Sequence, residues 1–170
     1  LKGWTEEAIQ QGRAEMRRAY ELDPSFAQAL ALYALWTALG SNTGLLPQTP
    51  TLAEEARVAA EQAIALDDGS TVVLGFAGCA LSDVGQRERG AELLLRALEI
   101  DPSNAQAHVA LGATYGLMGR MDEAIERMRY GMRISPRDRR LGFWGWAVGC
   151  LLLKARQLEQ ALQEARASTG

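Results

Sequence analysis

Between Ala105 and Asp138 the large side chains of His108, Leu111, Tyr115 and Met118 recur at steps of three and four, which places them on one stripe of a helix. Gly119 then breaks the pattern, because glycine takes the left-handed conformation that closes a helix C-terminus. A second periodic run follows, with Ala124, Ile125, Met128 and Gly131 on the inner face, Asp122 expected as its N-terminal cap and Pro136 marking its end. The pattern predicts two antiparallel helices. Small residues at Gly112, Ala124 and Gly131 stand where the pair must cross closely.

The same grammar recurs at a fixed period. A shift of 34 residues lays Gly78 on Gly112, Leu81 on Tyr115, Gly85 on Gly119, Ala97 on Gly131 and Pro102 on Pro136. Upstream, Thr5 is expected to cap a helix in which Gly12, Met16 and Ala19 take second-helix positions, closed by Pro24. The following repeat begins at Ser25-Phe-Ala-Gln28, which has the form of a capping box. It is interrupted by Ser41–Pro50, about ten residues beyond the regular period. Helix is expected to resume at Thr51-Leu-Ala-Glu54, and Leu45 and Leu46 to pack down beside Trp36. From Arg139 onward a degraded copy places Gly149 on Gly112 and Ala161 on Ala124, with Arg156 in place of the glycine stop; its turn is expected to survive.

A small residue at the eighth place, a large one at the eleventh, glycine at the fifteenth, alanine or glycine at the twentieth and twenty-seventh and proline at the thirty-second resemble the tetratricopeptide repeat family. The resemblance implies an all-α, right-handed superhelical solenoid of antiparallel helix pairs, here about nine helices. The division is a half repeat at 1–24, a repeat at 25–70 with its inserted loop at 41–50, repeats at 71–104 and 105–138, and a degenerate repeat at 139–170. The chain is read as a fragment of a longer protein, since its first element is already a second-type helix. More weakly, the run from Met132 to Ala165 and the ELDPSFAQA and AIALDD junctions resemble the C-terminal repeats of bacterial adenylate/guanylate cyclases and winged-helix transcriptional regulators. That likeness implies a cytoplasmic, bacterial signalling context in which any catalytic or DNA-binding domain lies outside this chain.

Composition fits one all-α body: 170 residues, 48% of them hydrophobic, with few β-branched side chains. Residues 1–85 carry 5 basic and 11 acidic groups and residues 86–170 carry 13 and 10, an asymmetry of −6 against +3. Cys79 and Cys150 occupy equivalent positions two repeats apart, beyond disulfide reach, so both are expected as free thiols. The apolar stretch from Gly142 to Leu153 is shorter than the roughly 20 residues that span a bilayer. No zinc, phosphate-loop or nucleophile motif occurs, the single histidine falls at a packing position, and neither a cofactor nor a catalytic constellation is expected.

Binding is what the resemblance implies. In such repeats the first helices line a concave groove, and the positions that face it are Gln28, Ala31, Leu35 and Leu39, then Val72, Gly75, Phe76, Cys79, Ser82 and Asp83, then Gln106, Val109, Ala113, Gly116 and Leu117, then Phe143, Trp146, Cys150, Leu153 and Lys154. Gly75, Ala113 and Gly116 are expected to leave a wide apolar trough for an amphipathic helix or extended segment. The alternative is that these residues bury one another. A clamp for an acidic C-terminus is not expected, because Lys154 is the only groove cation of the needed kind. Arg133, Arg137, Arg139 and Arg140 form a candidate basic docking patch for an acidic protein surface; with a net charge of −3, nucleic acid is not expected. A protein scaffold is thus the favoured reading, with a sensory or homodimerising module that binds a small apolar ligand as the alternative.

Overall fold

The computed structural model describes residues 5–168, which contain nine α-helices and no strand. They divide into two compact units, Leu1–Ile100 and Asp101–Gly170. In the first, α1 (Glu6–Leu22) packs on α2 (Ala27–Asn42), α2 pairs with α3 (Pro50–Leu66), and α4 (Thr71–Asp83) pairs with α5 (Arg87–Ile100) while also lying along α2 and α3. In the second, α6 (Ala105–Leu117) pairs with α7 (Met121–Ile134) and α8 (Leu141–Lys154) with α9 (Leu158–Ser168), α8 touching both α6 and α7. The first helix of each pair is rich in alanine and glycine and is enclosed on several sides. The second helix buries a single stripe, as Ala124, Ile125, Met128 and Gly131 do in α7.

Close crossing within a pair depends on missing side chains. A Cβ on Gly112 would lie 2.7 Å from the Ala124 carbonyl oxygen, and one on Gly131 would lie 2.8 Å from that of Ala105. Both contacts are with backbone, which cannot swing aside. Hydroxyls buried at these crossings satisfy themselves on their own helix: Thr37, Ser82 and Thr114 donate to the carbonyls of Tyr33, Gly78 and Ala110 at 2.8, 2.9 and 3.0 Å.

Within three of the pairs, the first helix ends in one closure. The amides of Gln86, Arg120 and Gln157 donate to the carbonyls of Leu81, Tyr115 and Leu152 at 2.8, 2.9 and 2.8 Å, each across a left-handed residue. Those residues are Gly85 (φ 96°), Gly119 (φ 83°) and Arg156 (φ 61°). The turn expected at Arg156 does survive, at the cost of holding a Cβ in a region it disfavours.

Helix starts are where the sequence reading needs correction. Ser25 does not cap α2: its amide and hydroxyl both donate to Asp23, at 2.9 and 2.6 Å, forming the turn between repeats. That bond holds the Asp23 carboxyl below its usual range. The same Asp-Pro-Ser turn recurs at Asp101, followed by Asn104, whose side chain accepts from Ala107 at 3.0 Å and caps α6. Thr49, not Thr51, caps α3 by accepting from Leu52 at 3.2 Å, because Pro50 opens that helix with no N–H to satisfy. Asp122 lies inside the first turn of α7, one residue past the start, rather than at its cap. Thr5 does cap α1, accepting from Ala8 at 3.2 Å.

The inserted loop is ordered by short-range bonds. The Leu46 amide donates to the Gly40 carbonyl at 2.9 Å and Ser41 donates to Pro47 at 2.9 Å, while the buried Leu46 side chain sits over Gly40. Gly40 also abuts Ile9 of α1, and the Trp36 ring rests on Gly12 of α1. A second tie between these helices is polar. Arg13 and Arg17 of α1 reach Glu55 of α3 at 3.1 and 3.0 Å and lie over the ring of Tyr33 of α2, whose hydroxyl donates to the same carboxylate.

Arg156→Gly is expected to raise the stability of the second unit by about 1 kcal/mol through relief of the left-handed residue, and Gly119→Ala to lower it by a similar amount. Thermal unfolding followed by circular dichroism reads both as shifts of opposite sign.

Candidate functional site

The predicted groove residues fall in both units, on α2 and α4 of the first and on α6 and α8 of the second. In the first unit α4 presents Val72, Phe76, Cys79 and Asp83 along one stripe, at spacings of three and four that repeat once per turn. Val72 is 41% exposed, and Phe76, Cys79 and Asp83 are half-buried. Gly75 is buried, although a Cβ added there would meet nothing within 4 Å. α2 lies alongside and carries no charged residue at all.

In the second unit, Ala113 of α6 is exposed and Gln106 half-buried. From α8, Trp146 stands 58% exposed and Leu153 56% exposed, with Cys150 half-buried between them and Phe143 half-buried one turn before Trp146. The rings of Phe143 and Trp146 lie 5.7 Å apart, forming an aromatic ledge. Lys154 ends the helix as an exposed cation with no ionic partner among the described residues.

Several groove expectations are overturned, and Ala31 and Ser82 are buried in their helix pairs. Val109 is only 5% exposed, because it turns toward α7, where its Cγ2 lies 2.8 Å from the place a Cβ of Gly131 would occupy. Gly116 does not widen a trough, since Leu151 of α8 fills the space above it.

The arginine patch is also smaller than its sequence density suggests. Arg140 donates to Asp138 at 2.7 and 2.9 Å, donates to Gln106 of α6, and covers the buried Trp144 ring at 4.7 Å. It is a brace at the start of α8, and its bonds hold the Asp138 carboxyl below the usual range. Arg133 lies 5.7 Å over Tyr130, while Arg137 and Arg139 are exposed. On the same side, Asp122, Ile125, Glu126, Arg129, Arg133 and Gln157 line an open cleft of about 350 Å³ with charges of both signs.

His108 is a packing residue. It is 5% exposed, meets Tyr130 edge-on at 4.6 Å and hydrogen-bonds the Pro102 carbonyl at 3.0 Å. Both cysteines are free thiols. Burial, and then the nearby Asp83, pushes the Cys79 thiol up to about 12, so it stays protonated and unreactive at neutral pH. Among the described residues no group of three or more His, Cys, Asp or Glu side chains is placed to hold a metal, and no helix is long and apolar enough to cross a membrane.

Asp83 was legible only as one groove position among several. Burial pushes its carboxyl up to about 6, opposed by a hydrogen bond with Asn42 of α2. No charged group of α2, α3 or α5 enters that balance, and its titratable neighbour on α4 is Cys79.

Against known proteins, residues 93–126 match a family model described as tetratricopeptide repeat. The chain has the tetratricopeptide-repeat fold. A crystal structure of MamA matches with a TM-score of 0.59 at 19% identity, over 96% of this chain and 88% of that one. MamA 41-end from Desulfovibrio magneticus RS-1 matches with a TM-score of 0.62 at 13% identity, over 95% and 84%. Pseudomonas aeruginosa pilF matches with a TM-score of 0.63 at 22% identity, over 95% of this chain and 69% of that one. No curated protein matches the sequence. At these identities the likeness is one of fold.

Because Asp83 keeps its proton to a higher pH in the folded chain than in the unfolded one, stability falls as pH rises from about 4 to beyond 6. Asp83→Asn is therefore expected to stabilise the protein at pH 7 by on the order of 2 kcal/mol, with the gain vanishing near pH 4. Urea unfolding of both proteins at the two pH values measures it.

Proposed function

We propose that the chain is a non-catalytic scaffold that receives a helix or extended segment of a partner protein on the outer faces of its first helices. The observation that carries this is the ledge on α8: Phe143 and Trp146 stand together at the surface, with the exposed Leu153 and Lys154 on the same helix. A tryptophan left more than half exposed beside a second aromatic ring is costly to hydrate, and such side chains dominate binding energy when a partner covers them. The residues that take part are Val72, Phe76 and Cys79 in the first unit and Ala113, Phe143, Trp146 and Cys150 in the second. Gly75 supplies room rather than contact. Arg133, Arg137 and Arg139 remain as a docking edge for an acidic partner surface, with Arg140 tied up inside its own unit.

The setting proposed is the cytoplasmic regulatory region of a larger bacterial signalling protein, and the repeats at 25–70, 71–104, 105–138 and 139–170 are its working units. The second reading, in which the α8 ledge joins two copies and controls an attached output domain, draws on the same exposed aromatic pair.

Trp146→Asp is expected to leave helicity and melting temperature nearly unchanged, because the side chain is largely outside the core, while removing retention of partner peptides by the α8 face. A global loss of helicity in far-ultraviolet circular dichroism would make Trp146 a core residue and defeat the assignment.

A further inference from the structure

We propose that the α2/α4 face of the first unit takes an apolar partner segment bearing one lysine or arginine, whose cation pairs with Asp83. This deepens the scaffold reading and rests on it.

The position of Asp83 is hard to explain by folding alone. It is the last residue of α4, where the helix dipole opposes a negative charge. It is half-buried at the end of the stripe formed by Val72, Phe76 and Cys79, in contact range of a helix that carries no charge. Its polar partner is the neutral side chain of Asn42, and no cation pairs with it among the described residues.

Several other carboxylates of the unit do have a cation. Glu55 is held by Arg13 and Arg17, Glu54 by Arg57, Glu61 by Arg89 and Asp68 by Arg96. Asp83 has no such cation among the described residues and is half-buried on the apolar face, where an arriving ammonium or guanidinium would be partly desolvated and strongly attracted. Residues 1–100 carry 8 basic and 14 acidic groups, a formal charge of −6, so the field of the whole unit draws a cationic segment toward this face. Asp83 fixes where the cation goes, and Val72 and Phe76 bind the apolar neighbours. The stability lost to an uncompensated carboxylate in the free protein is recovered when the partner supplies its counter-ion.

The test uses the full chain and a displayed library of random peptides, with selected peptides measured by fluorescence anisotropy at pH 7.5. The expected result is enrichment of peptides with one lysine or arginine among apolar residues. These should lose about tenfold or more in affinity when that residue is replaced by norleucine or when the protein carries Asp83→Asn, and lose nothing with Trp146→Asp. Circular dichroism on Asp83→Asn excludes loss of fold as the cause. Selected peptides that are blocked by Phe76→Asp yet bind parent and Asp83→Asn equally would overturn the ion pair and leave the scaffold standing. Peptides that bind only when acidic, or displacement of every peptide by a second copy of the chain, would also overturn it. No enrichment above background would overturn both this pairing and the scaffold reading.

Discussion

The structure depends on how closely the two helices of a pair can cross. At Gly112 and Gly131 the space for a Cβ is already taken by a facing backbone carbonyl, so α6 and α7 approach nearer than any side chain would allow. A crossing this tight lets the first helix bury residues on several sides, and it leaves only a narrow strip of that helix uncovered. The left-handed closures at Gly85, Gly119 and Arg156 keep the second helix in register with the first, and the aspartate turns at Asp23 and Asp101 start the next pair.

The two uncovered strips differ in chemistry. On α8 the exposed surface is aromatic and aliphatic and ends in a cation, Lys154. On α4 it is aliphatic, with one ring, a protonated thiol and a carboxylate that burial drives toward its neutral form. Both combine apolar area with a single charge, as the proposed recognition role requires.

Helix pairing was readable from sequence because it rests on a period: glycine stops, small crossing residues and apolar steps recur together, so each confirms the others. Helix starts were less readable. Ser25, Thr51 and Asp122 are all good capping residues by type, but a stronger acceptor at Asp23, a proline at Pro50 and a start one residue earlier at Met121 decide the observed geometry. The face positions failed in a similar way. Val109 and Gly116 occupy groove positions by count, yet the glycine at Gly131 draws Val109 inward and the absence of a side chain at Gly116 admits Leu151. Arg140 looked like surface charge because sequence cannot show that Asp138, Gln106 and Trp144 converge on it.

Central to this account is that the apolar strips are free in the isolated chain and await a different protein. Light scattering after size exclusion, over a wide range of concentration, tests that most directly. The account predicts the mass of one 18.5 kDa chain throughout, for the parent and for Trp146→Asp alike. A parent dimer that Trp146→Asp dissociates would contradict it and assign the α8 ledge to self-association.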